Sequence, residues 1–273
     1  MTGRVALVTG AGRGIGREAA LGFGAAGAHV ICAYQTDEKS AQSVVESIRA
    51  DGSEADAVML DLADVASIRS AISGLAERGV LIDILVNNAA MRPRTHLEDI
   101  TVDEWDKVLA TNLRGAFFLS QAVLPHMLSR QWGRIVNVSG IDAYRGSVDR
   151  VHVTASKLGI VGLSRAMGAE IARQGVTVNT VVPGFIDTER RHPEWSDDLT
   201  AMRHQALLDI PMARLGLAAE VANACVFLAS EQASYITGQE LLVTGGAHPL
   251  VRQRARERDF DELRVAEARD RAV

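Results

Sequence analysis

The chain is poor in cysteine, in excess positive charge and in long apolar runs. Only Cys32 and Cys225 are present among 273 residues, and both lie in apolar segments. A disulfide framework is therefore not expected, and both thiols are predicted to be buried and inert. The formal net charge of -5 offers no general attraction for nucleic acid or an anionic membrane surface. No apolar stretch reaches the roughly 18 residues that a membrane-spanning helix needs.

Signals for export and for metal binding are also missing. The N-terminal residues lead directly into an apolar segment without a signal-peptide pattern, so a cytoplasmic protein is expected. The seven histidines are scattered, with no HExxH pattern and no Cys–His cluster, so no metal site is predicted. Apolar residues make up 47% of the chain and charged residues 23%, which is typical of a folded globular protein.

Short apolar segments alternate with longer segments of helical period. The predicted strands are Val5–Thr9, His29–Tyr34, Ala57–Leu60, Ile82–Asn87, Arg134–Ser139, Thr177–Val182 and Glu240–Val243. The predicted helices are Gly16–Gly27, Asp37–Ala50, Val65–Gly79, Val102–Arg130, Val151–Gln174 and Ala219–Ser230, and Thr101 and Glu104 have the spacing of a capping box. This alternation predicts a single-domain α/β, doubly wound (Rossmann) fold with a seven-stranded parallel sheet and helices on both faces.

Two segments fall outside the regular alternation. Residues Ile186–Met212 follow a strand and are expected at the carboxyl edge of the sheet, where ligands bind in this architecture. The segment Pro249–Val273 carries seven arginines and six acidic residues. It is interpreted either as a surface helix or as an arm that contacts a neighbouring subunit.

A glycine-rich loop joins the first strand to the first helix. It reads Thr9-Gly10-Ala11-Gly12-Arg13-Gly14-Ile15-Gly16, a TGxxxGxG pattern. Glycines at such a turn let the backbone approach a pyrophosphate, and the following helix N-terminus presents free N–H groups and the positive end of its dipole. The context of strand, loop and helix therefore predicts a nucleotide site.

With this loop, the chain resembles the short-chain dehydrogenase/reductase family, and the resemblance covers roughly residues 3–247. Further matching motifs follow in the family's order: Asp61-Leu62, Asn87-Asn88-Ala89-Ala90, Asn112 within Thr111–Gly115, Lys157 within Ala155–Lys157, Pro183–Thr188 and Gly245-Gly246. The resemblance implies an NAD(P)-binding domain over residues 1–248 with a charged C-terminal extension over 249–273, a small-molecule substrate, and a homodimer or homotetramer.

The resemblance also assigns residue roles. It implies that Asn112 and Lys157 support catalysis. It implies cofactor contacts from Gly10, Gly12, Arg13, Gly14, Ile15, Gly16, Tyr34, Gln35, Asp61, Leu62, Asn88, Ala89, Lys157, Pro183, Gly184, Ile186 and Thr188.

The end of the second strand favours NADP(H) over NAD(H). A site for NAD(H) places a carboxylate there, which binds the ribose 2′-hydroxyl and would repel a 2′-phosphate. Here the chain reads Tyr34-Gln35-Thr36, and the first acid is Asp37. Arg13 in the glycine loop can pair with a phosphate.

The catalytic pattern departs from the family at two positions. Family members have a tyrosine four residues before the lysine, which handles the proton, and a serine thirteen residues before that tyrosine, which holds the substrate oxygen. The corresponding residues here are Val153 and Gly140. Neither has a side chain that donates a hydrogen bond.

Other residues are candidates for the missing acid. Ser139 is next to Gly140, and Tyr144 and Asp142 lie in the loop that leaves the fifth strand. The alternative is that these residues only shape the pocket or bond to backbone. His152 is next to Val153 but is expected to face away from Lys157, because adjacent helical residues point about 100° apart.

The leading hypothesis is an NADP(H)-binding oxidoreductase with a non-standard proton donor, acting on a small carbonyl- or imine-like metabolite. The alternatives are a non-redox enzyme, such as a cyclase, dehydratase or isomerase, and a protein that only binds the nucleotide. Two groups of basic residues are expected to flank the substrate entrance: Arg92, Arg94 and His96, and Arg190, Arg191 and His192. They either bind an anionic substrate or are solvated.

Overall fold

The computed structural model describes residues 1–188 and 208–249. The strands are β1 Val5–Thr9, β2 His29–Tyr34, β3 Ala55–Met59, β4 Ile84–Asn87, β5 Gly133–Val138, β6 Val176–Pro183, β7 Ile186–Asp187, β8 Gly216–Leu217 and β9 Glu240–Val243. The α-helices are α1 Gly14–Ala25, α2 Glu38–Ala50, α3 Val65–Glu77, α4 Val102–Leu109, α5 Gly115–Ser129, α6 Asp142–Arg145, α7 Val151–Ile171 and α8 Ala218–Leu228.

One parallel sheet of seven strands forms the centre of the molecule. Its strand order is β3-β2-β1-β4-β5-β6-β9, and every neighbouring pair is parallel. From β1 the chain adds β2 and β3 towards one edge of the sheet, and from β4 it adds β5, β6 and β9 towards the other. The strand order therefore reverses between β1 and β4. Loops diverge at such a switch point and leave a crevice at the carboxyl ends of the strands, which is where this architecture binds ligands. The predicted fold is confirmed.

Helices cover both faces of this sheet and create two apolar layers. On one side α1, α2 and α8 contribute Phe23, Ile48 and Val221 to a buried cluster. On the other side α3, α5 and α7 contribute side chains of the same kind to a second cluster, which includes Leu119 and Ile171. Successive residues of β1, β2 and β4 alternate between the two clusters, as the period of two requires. This explains why the strands read as nearly continuous apolar runs.

The helix predicted over Val102–Arg130 is interrupted, and that prediction is wrong in its middle. The α4 helix ends at Leu109, a π-helical turn covers Ala110–Arg114, and α5 begins at Gly115. Hydrophobic periodicity does not detect one wide turn. Gly115 packs so closely that an added Cβ would lie 2.5 Å from the Leu62 carbonyl oxygen. Such turns are frequent at functional sites.

The remaining predicted boundaries agree with the structure or differ from it by at most three residues. The first helix begins at Gly14 instead of Gly16, and the last turn of the α7 region, Ala172–Gln174, is 3₁₀-helical. The Thr101 cap is confirmed, since its hydroxyl accepts from the Glu104 N–H at 3.2 Å. The Glu104 carboxylate instead accepts a hydrogen bond from the Thr95 hydroxyl and lies beside the His152 ring.

Several expectations lie wholly or partly outside the described residues. These are most of the segment Ile186–Met212, including Arg190, Arg191 and His192, and all of Pro249–Val273 except its first residue. Both cysteines are buried, as predicted, and burial raises the pKa of each thiol to about 12. None of the helices in the described part of the chain is long and apolar enough to cross a membrane.

Candidate active site

The glycine loop after β1 requires glycine at several places. Gly10 and Gly14 have φ angles of +64° and +53°, which side-chain-bearing residues rarely adopt. A Cβ at Gly16 would lie 2.2 Å from the Gly10 carbonyl oxygen, and one at Gly12 would lie 2.9 Å from Ser40 Cβ. The loop leads directly into the N-terminus of α1 at Gly14. A cradle of this form, at a helix N-terminus, fits a pyrophosphate.

Hydrogen bonds hold the end of β4 against this loop. The Thr9 hydroxyl donates to the Val86 carbonyl at 3.2 Å and accepts from the backbone N–H groups of Asn88 at 2.9 Å and Ala89 at 3.0 Å. The Asn88 amide in turn donates to the Thr9 carbonyl at 2.9 Å. The predicted cofactor residues of the two neighbouring strands are therefore brought together at the switch point.

The predicted adenosine side lies where β2 passes into α2. The Asp37 carboxylate accepts from the Ser40 N–H at 3.1 Å and from the Ser40 hydroxyl at 2.6 Å, so it caps α2. These bonds lower the pKa of Asp37, and the charge of Arg13 lowers it further. The first acid after β2 is thus engaged with its own helix and close to the arginine of the glycine loop. Burial raises the pKa of Tyr34, with Glu38 adding to the effect.

The segment after β6 approaches the glycine loop from the opposite side. The Gly184 N–H donates to the Val243 carbonyl at 2.9 Å, and a Cβ at Gly184 would lie 2.8 Å from Thr244 Cα. A Cβ at Gly14 would lie 3.4 Å from Thr188 Cβ. The predicted cofactor residues from Pro183 to Thr188 therefore border the same crevice as the glycine loop.

The π-helical turn presents Asn112 to the loop after β4. Its side-chain oxygen accepts from the Met91 N–H at 2.8 Å, and its amide donates to the Met91 carbonyl at 2.9 Å. The same amide donates to the Ser156 hydroxyl of α7 at 3.0 Å. Asn112 is buried and links the loop after β4 to α7.

Lys157 and Ser139 tie the end of β5 to α7. The Lys157 ammonium donates to the Val138 carbonyl at 2.7 Å, and the Ser139 hydroxyl donates to the Lys157 carbonyl at 2.8 Å. Both side chains are buried. The Ser139 hydroxyl is therefore bonded to backbone. The sequence left this open as the alternative to a catalytic role.

Val153 and Gly140 differ in the space around them. The Val153 side chain is completely buried. A Cβ at Gly140 would meet no atom of the described residues within 4 Å. His152, the neighbour of Val153, turns towards α4, where its Nε2 lies 2.9 Å from a Glu104 carboxylate oxygen. It faces away from Lys157, in agreement with the expectation.

Tyr144 lies on the short helix α6, where a loop was predicted. Its ring stacks on that of His248, with centroids 5.0 Å apart and planes inclined by 27°. Its hydroxyl is buried, and within residues 1–188 and 208–249 it has no hydrogen-bond partner. The contact with His248 could not be inferred from sequence, because 104 positions separate the two residues. Nothing in local pattern indicates such a pair.

A charged group that sequence reasoning only partly identified lies beside α6. Asp142 Oδ2 accepts from Arg92 Nη2 and from Arg150 Nη1, each at 3.3 Å. Arg92 was singled out from the sequence, but Arg150 was not. The only available signal was its place directly before α7, seven residues ahead of Lys157.

Together the crevice at the switch point, the glycine cradle and the helix N-terminus behind it have the form of a Rossmann-type dinucleotide-binding site. A family model described as enoyl-(acyl carrier protein) reductase matches residues 10–248. The chain belongs to the short-chain dehydrogenase/reductase family.

Similar proteins agree with this assignment. The chain is 40% identical over 246 residues to the 3-oxoacyl-[acyl-carrier-protein] reductase FabG of Escherichia coli (strain K12), covering 90% of this chain and 98% of the relative. A putative gluconate dehydrogenase from Agrobacterium tumefaciens superposes with a TM-score of 0.87 at 32% identity, covering 92% and 98% of the two chains. A gluconate 5-dehydrogenase from Burkholderia cenocepacia J2315, solved with NADP and tartrate, gives 0.85 at 34% identity, covering 92% and 97%.

Proposed function

We propose that this protein is an NADP(H)-dependent oxidoreductase that acts on a small carbonyl- or imine-like metabolite without the proton donor usual in its family. Residues 1–248 form its nucleotide-binding domain in this proposal. The observation that carries it is the pairing of a complete glycine cradle with a buried aliphatic side chain, Val153, one helical turn before Lys157.

In this proposal Val153 and Gly140 occupy the places of the proton-handling tyrosine and the substrate-binding serine. Their spacing from Lys157 supports this, since they lie four and seventeen residues before it. The open space at Gly140 is consistent with a missing side chain. A valine and a glycine can neither donate a proton nor hydrogen-bond a substrate oxygen through a side chain.

The residues that remain favour a substrate needing little protonation. When bound, a nicotinamide dinucleotide supplies or accepts the hydride. Asn112 holds the Met91 backbone at the crevice, and Lys157 holds the end of β5. Loss of a positioned general acid typically costs about 10²–10⁴-fold in rate. A ketone, such as the 3-oxoacyl group in the name of the relative FabG, would suffer this loss, whereas an iminium ion already carries positive charge.

Tyr144 is the best candidate for a relocated proton donor. Its buried hydroxyl has no partner within the described residues and so retains its hydrogen-bonding capacity for a ligand. Asp142 is already in two ion pairs, and the Ser139 hydroxyl is bonded to the Lys157 carbonyl. Stacking on His248 restricts how the Tyr144 ring can move.

Preference for NADP(H) is supported by the end of β2. Asp37 is engaged with Ser40 instead of projecting from the strand end, and Arg13 is near enough to lower its pKa. Arg13 is thus placed to meet a 2′-phosphate, which a free carboxylate would repel. Solved relatives with NADP bound support the same preference.

The test is NADPH oxidation by the purified protein across matched ketones and cyclic iminium compounds. We expect faster oxidation with the iminium compounds. Tyr144→Phe should reduce the rate with the ketones roughly 100-fold, while Tyr235→Phe, a change on a fully exposed side chain, should not. The double variant Val153→Tyr with Gly140→Ser should gain ketone reduction by about 10²-fold.

Two outcomes would contradict the proposal. Product formed without net change in NADPH absorbance would indicate a cyclase, dehydratase or isomerase. Firm NADPH binding without turnover of any compound, together with weaker binding by Lys157→Ala, would indicate a protein that only binds the nucleotide.

A further inference from the structure

Two arginines beside the proposed active site share one carboxylate. Arg92 follows β4, Asp142 begins α6, and Arg150 directly precedes α7. Both guanidinium groups donate to the same oxygen, Asp142 Oδ2, at 3.3 Å. The three side chains together carry one net positive charge, because a single carboxylate faces two guanidinium groups.

Arg150 is the buried member of this cluster. The residue is 9% exposed, and its Nε has no hydrogen-bond partner among residues 1–188 and 208–249. Burial lowers the pKa of Arg150, the positive charges of Arg92 and Arg94 lower it further, and Asp142 opposes them. A guanidinium group has five N–H donors, and buried charges are normally paired and hydrogen-bonded. The environment of Arg150 is therefore short of negative charge and of acceptors.

The position of Arg150 on α7 points to a ligand rather than to a purely structural ion pair. Arg150 is the N-cap residue of α7, with φ −142° and ψ 33°, and it precedes Val153 and Lys157 by three and seven residues. At a rise of about 1.5 Å per residue, Arg150 lies roughly 10 Å from Lys157 along the axis, with Val153 between them. The N-terminus of α7, next to Arg150, adds the positive end of its dipole.

Arg92 is positioned by the catalytic elements and is accessible to a ligand. The preceding residue, Met91, is bonded through both its backbone N–H and its carbonyl to the Asn112 side chain. The Arg92 side chain is 41% exposed. Asp142 follows Gly140 by two residues, so the acid also lies next to the open space at that glycine.

We propose that Arg92 and Arg150 bind a carboxylate group of the substrate, so that the enzyme acts on oxo acids or cyclic imino acids. This inference rests on the proposed function and specifies its substrate class. Guanidinium groups match the planar, two-oxygen geometry of a carboxylate. The backbone positions of Val153 and Arg150 are about 5 Å apart along the helix axis, which favours a substrate whose carboxylate lies a few bonds from the reacting carbon.

The first experiment compares matched substrates that differ only in charge. NADPH oxidation is measured with a cyclic imine bearing a carboxylate and with the same ring lacking it, and likewise with a 2-oxo acid and its amide. Wild-type protein should favour the acids. Arg92→Gln should lower kcat/KM for the acids tenfold or more, mainly through KM, and leave the neutral compounds within about twofold. Arg69→Gln, which removes an equal charge from the exposed face of α3, should change neither.

A binding experiment separates failure of this inference from failure of the proposed function. Lactate and its neutral amide are titrated into wild-type protein and Arg92→Gln in the presence of NADPH, and the heat of binding is measured. Lactate should bind the wild-type protein more tightly than the amide, and Arg92→Gln should remove most of that difference. This result without any turnover would uphold the carboxylate site and count against the oxidoreductase. Equal binding or turnover of charged and neutral compounds by wild-type protein would overturn the carboxylate site, even if NADPH is oxidised.

Discussion

The nucleotide side and the substrate side of the crevice differ in how tightly they are packed around glycine. At Gly16, on the nucleotide side, a Cβ would lie 2.2 Å from a carbonyl oxygen, whereas at Gly140, on the substrate side, it would meet no described atom within 4 Å. The atoms around Gly16 leave no room for a side chain, whereas the described atoms around Gly140 do. A side chain can therefore be added at Gly140 without disturbing the fold, and the proposed function makes this one of the two positions where the chain departs from its family's pattern.

The polar groups named on the two sides also differ in how completely they are hydrogen-bonded. Next to the glycine loop, the Thr9 hydroxyl makes three hydrogen bonds. On the substrate side, the Tyr144 hydroxyl and Arg150 Nε are buried without partners in the described part of the chain. Satisfied groups stabilise the folded chain, whereas unsatisfied buried donors are places where a ligand adds bonds that the protein does not make alone.

The sharpest test of this comparison is Gly16→Ala. The added methyl group would clash with the Gly10 carbonyl and the Asn88 amide, so the loop must move. We expect a loss of roughly 1–3 kcal/mol of folding free energy and NADPH binding weakened about 100-fold or more, equivalent to about 2.7 kcal/mol. Thermal unfolding and fluorescence titration measure the two effects. Unchanged NADPH affinity would show that this loop is not the nucleotide cradle.

Asn112→Ala tests the residue that links the loop after β4 to α7. The change leaves the Met91 N–H and carbonyl without their partner and removes the bond to Ser156. With about 1–3 kcal/mol for each group left unsatisfied, we expect a loss of roughly 3 kcal/mol in urea unfolding. Ser156→Ala removes one of these bonds and should cost less. A loss no larger than that of Ser156→Ala would refute the bridging role.

Gly140→Ala is the counterpart of Gly16→Ala and should act in the opposite direction. No described atom opposes its methyl group, and its φ lies outside the range that favours glycine. Restricting the unfolded chain should raise stability by about 0.4–1 kcal/mol. Urea unfolding of both variants gives the comparison directly. Destabilisation by Gly140→Ala would remove the contrast between the two sides.

The smallest expected effect concerns pH on the nucleotide side. Hydrogen bonds from Ser40 and the charge of Arg13 lower the pKa of Asp37 below its ordinary value of 3.8. A lowered acid pKa stabilises the fold above the unfolded pKa, and this stabilisation is lost as pH falls through the folded pKa. Asp37→Asn should therefore melt slightly below wild type at neutral pH and approach it below about pH 4. A constant difference in Tm across pH 3–7 would contradict this prediction.

Local patterns were sufficient for the sheet and for the nucleotide loop. The central strands are short apolar runs, and successive residues of β1, β2 and β4 alternate between two buried layers, so period and length alone indicate parallel strands covered on both faces. The glycine pattern from Gly10 to Gly16 is equally local, because its need for positive φ and close approach arises within a few residues. The identities at Val153 and Gly140 can also be read directly from their distance to Lys157.

The tertiary structure alone decided which polar groups meet. The sequence indicated neither the π-helical turn at Asn112, the ring of His248 on Tyr144, nor the sharing of Asp142 by two arginines. These contacts join residues far apart in the chain or depend on one extra residue in a helical turn, and hydrophobic period carries no information about either. The sequence thus determined the fold and the nucleotide cradle through local backbone requirements. The folded sheet determined the substrate side, because only packing brings its loops together.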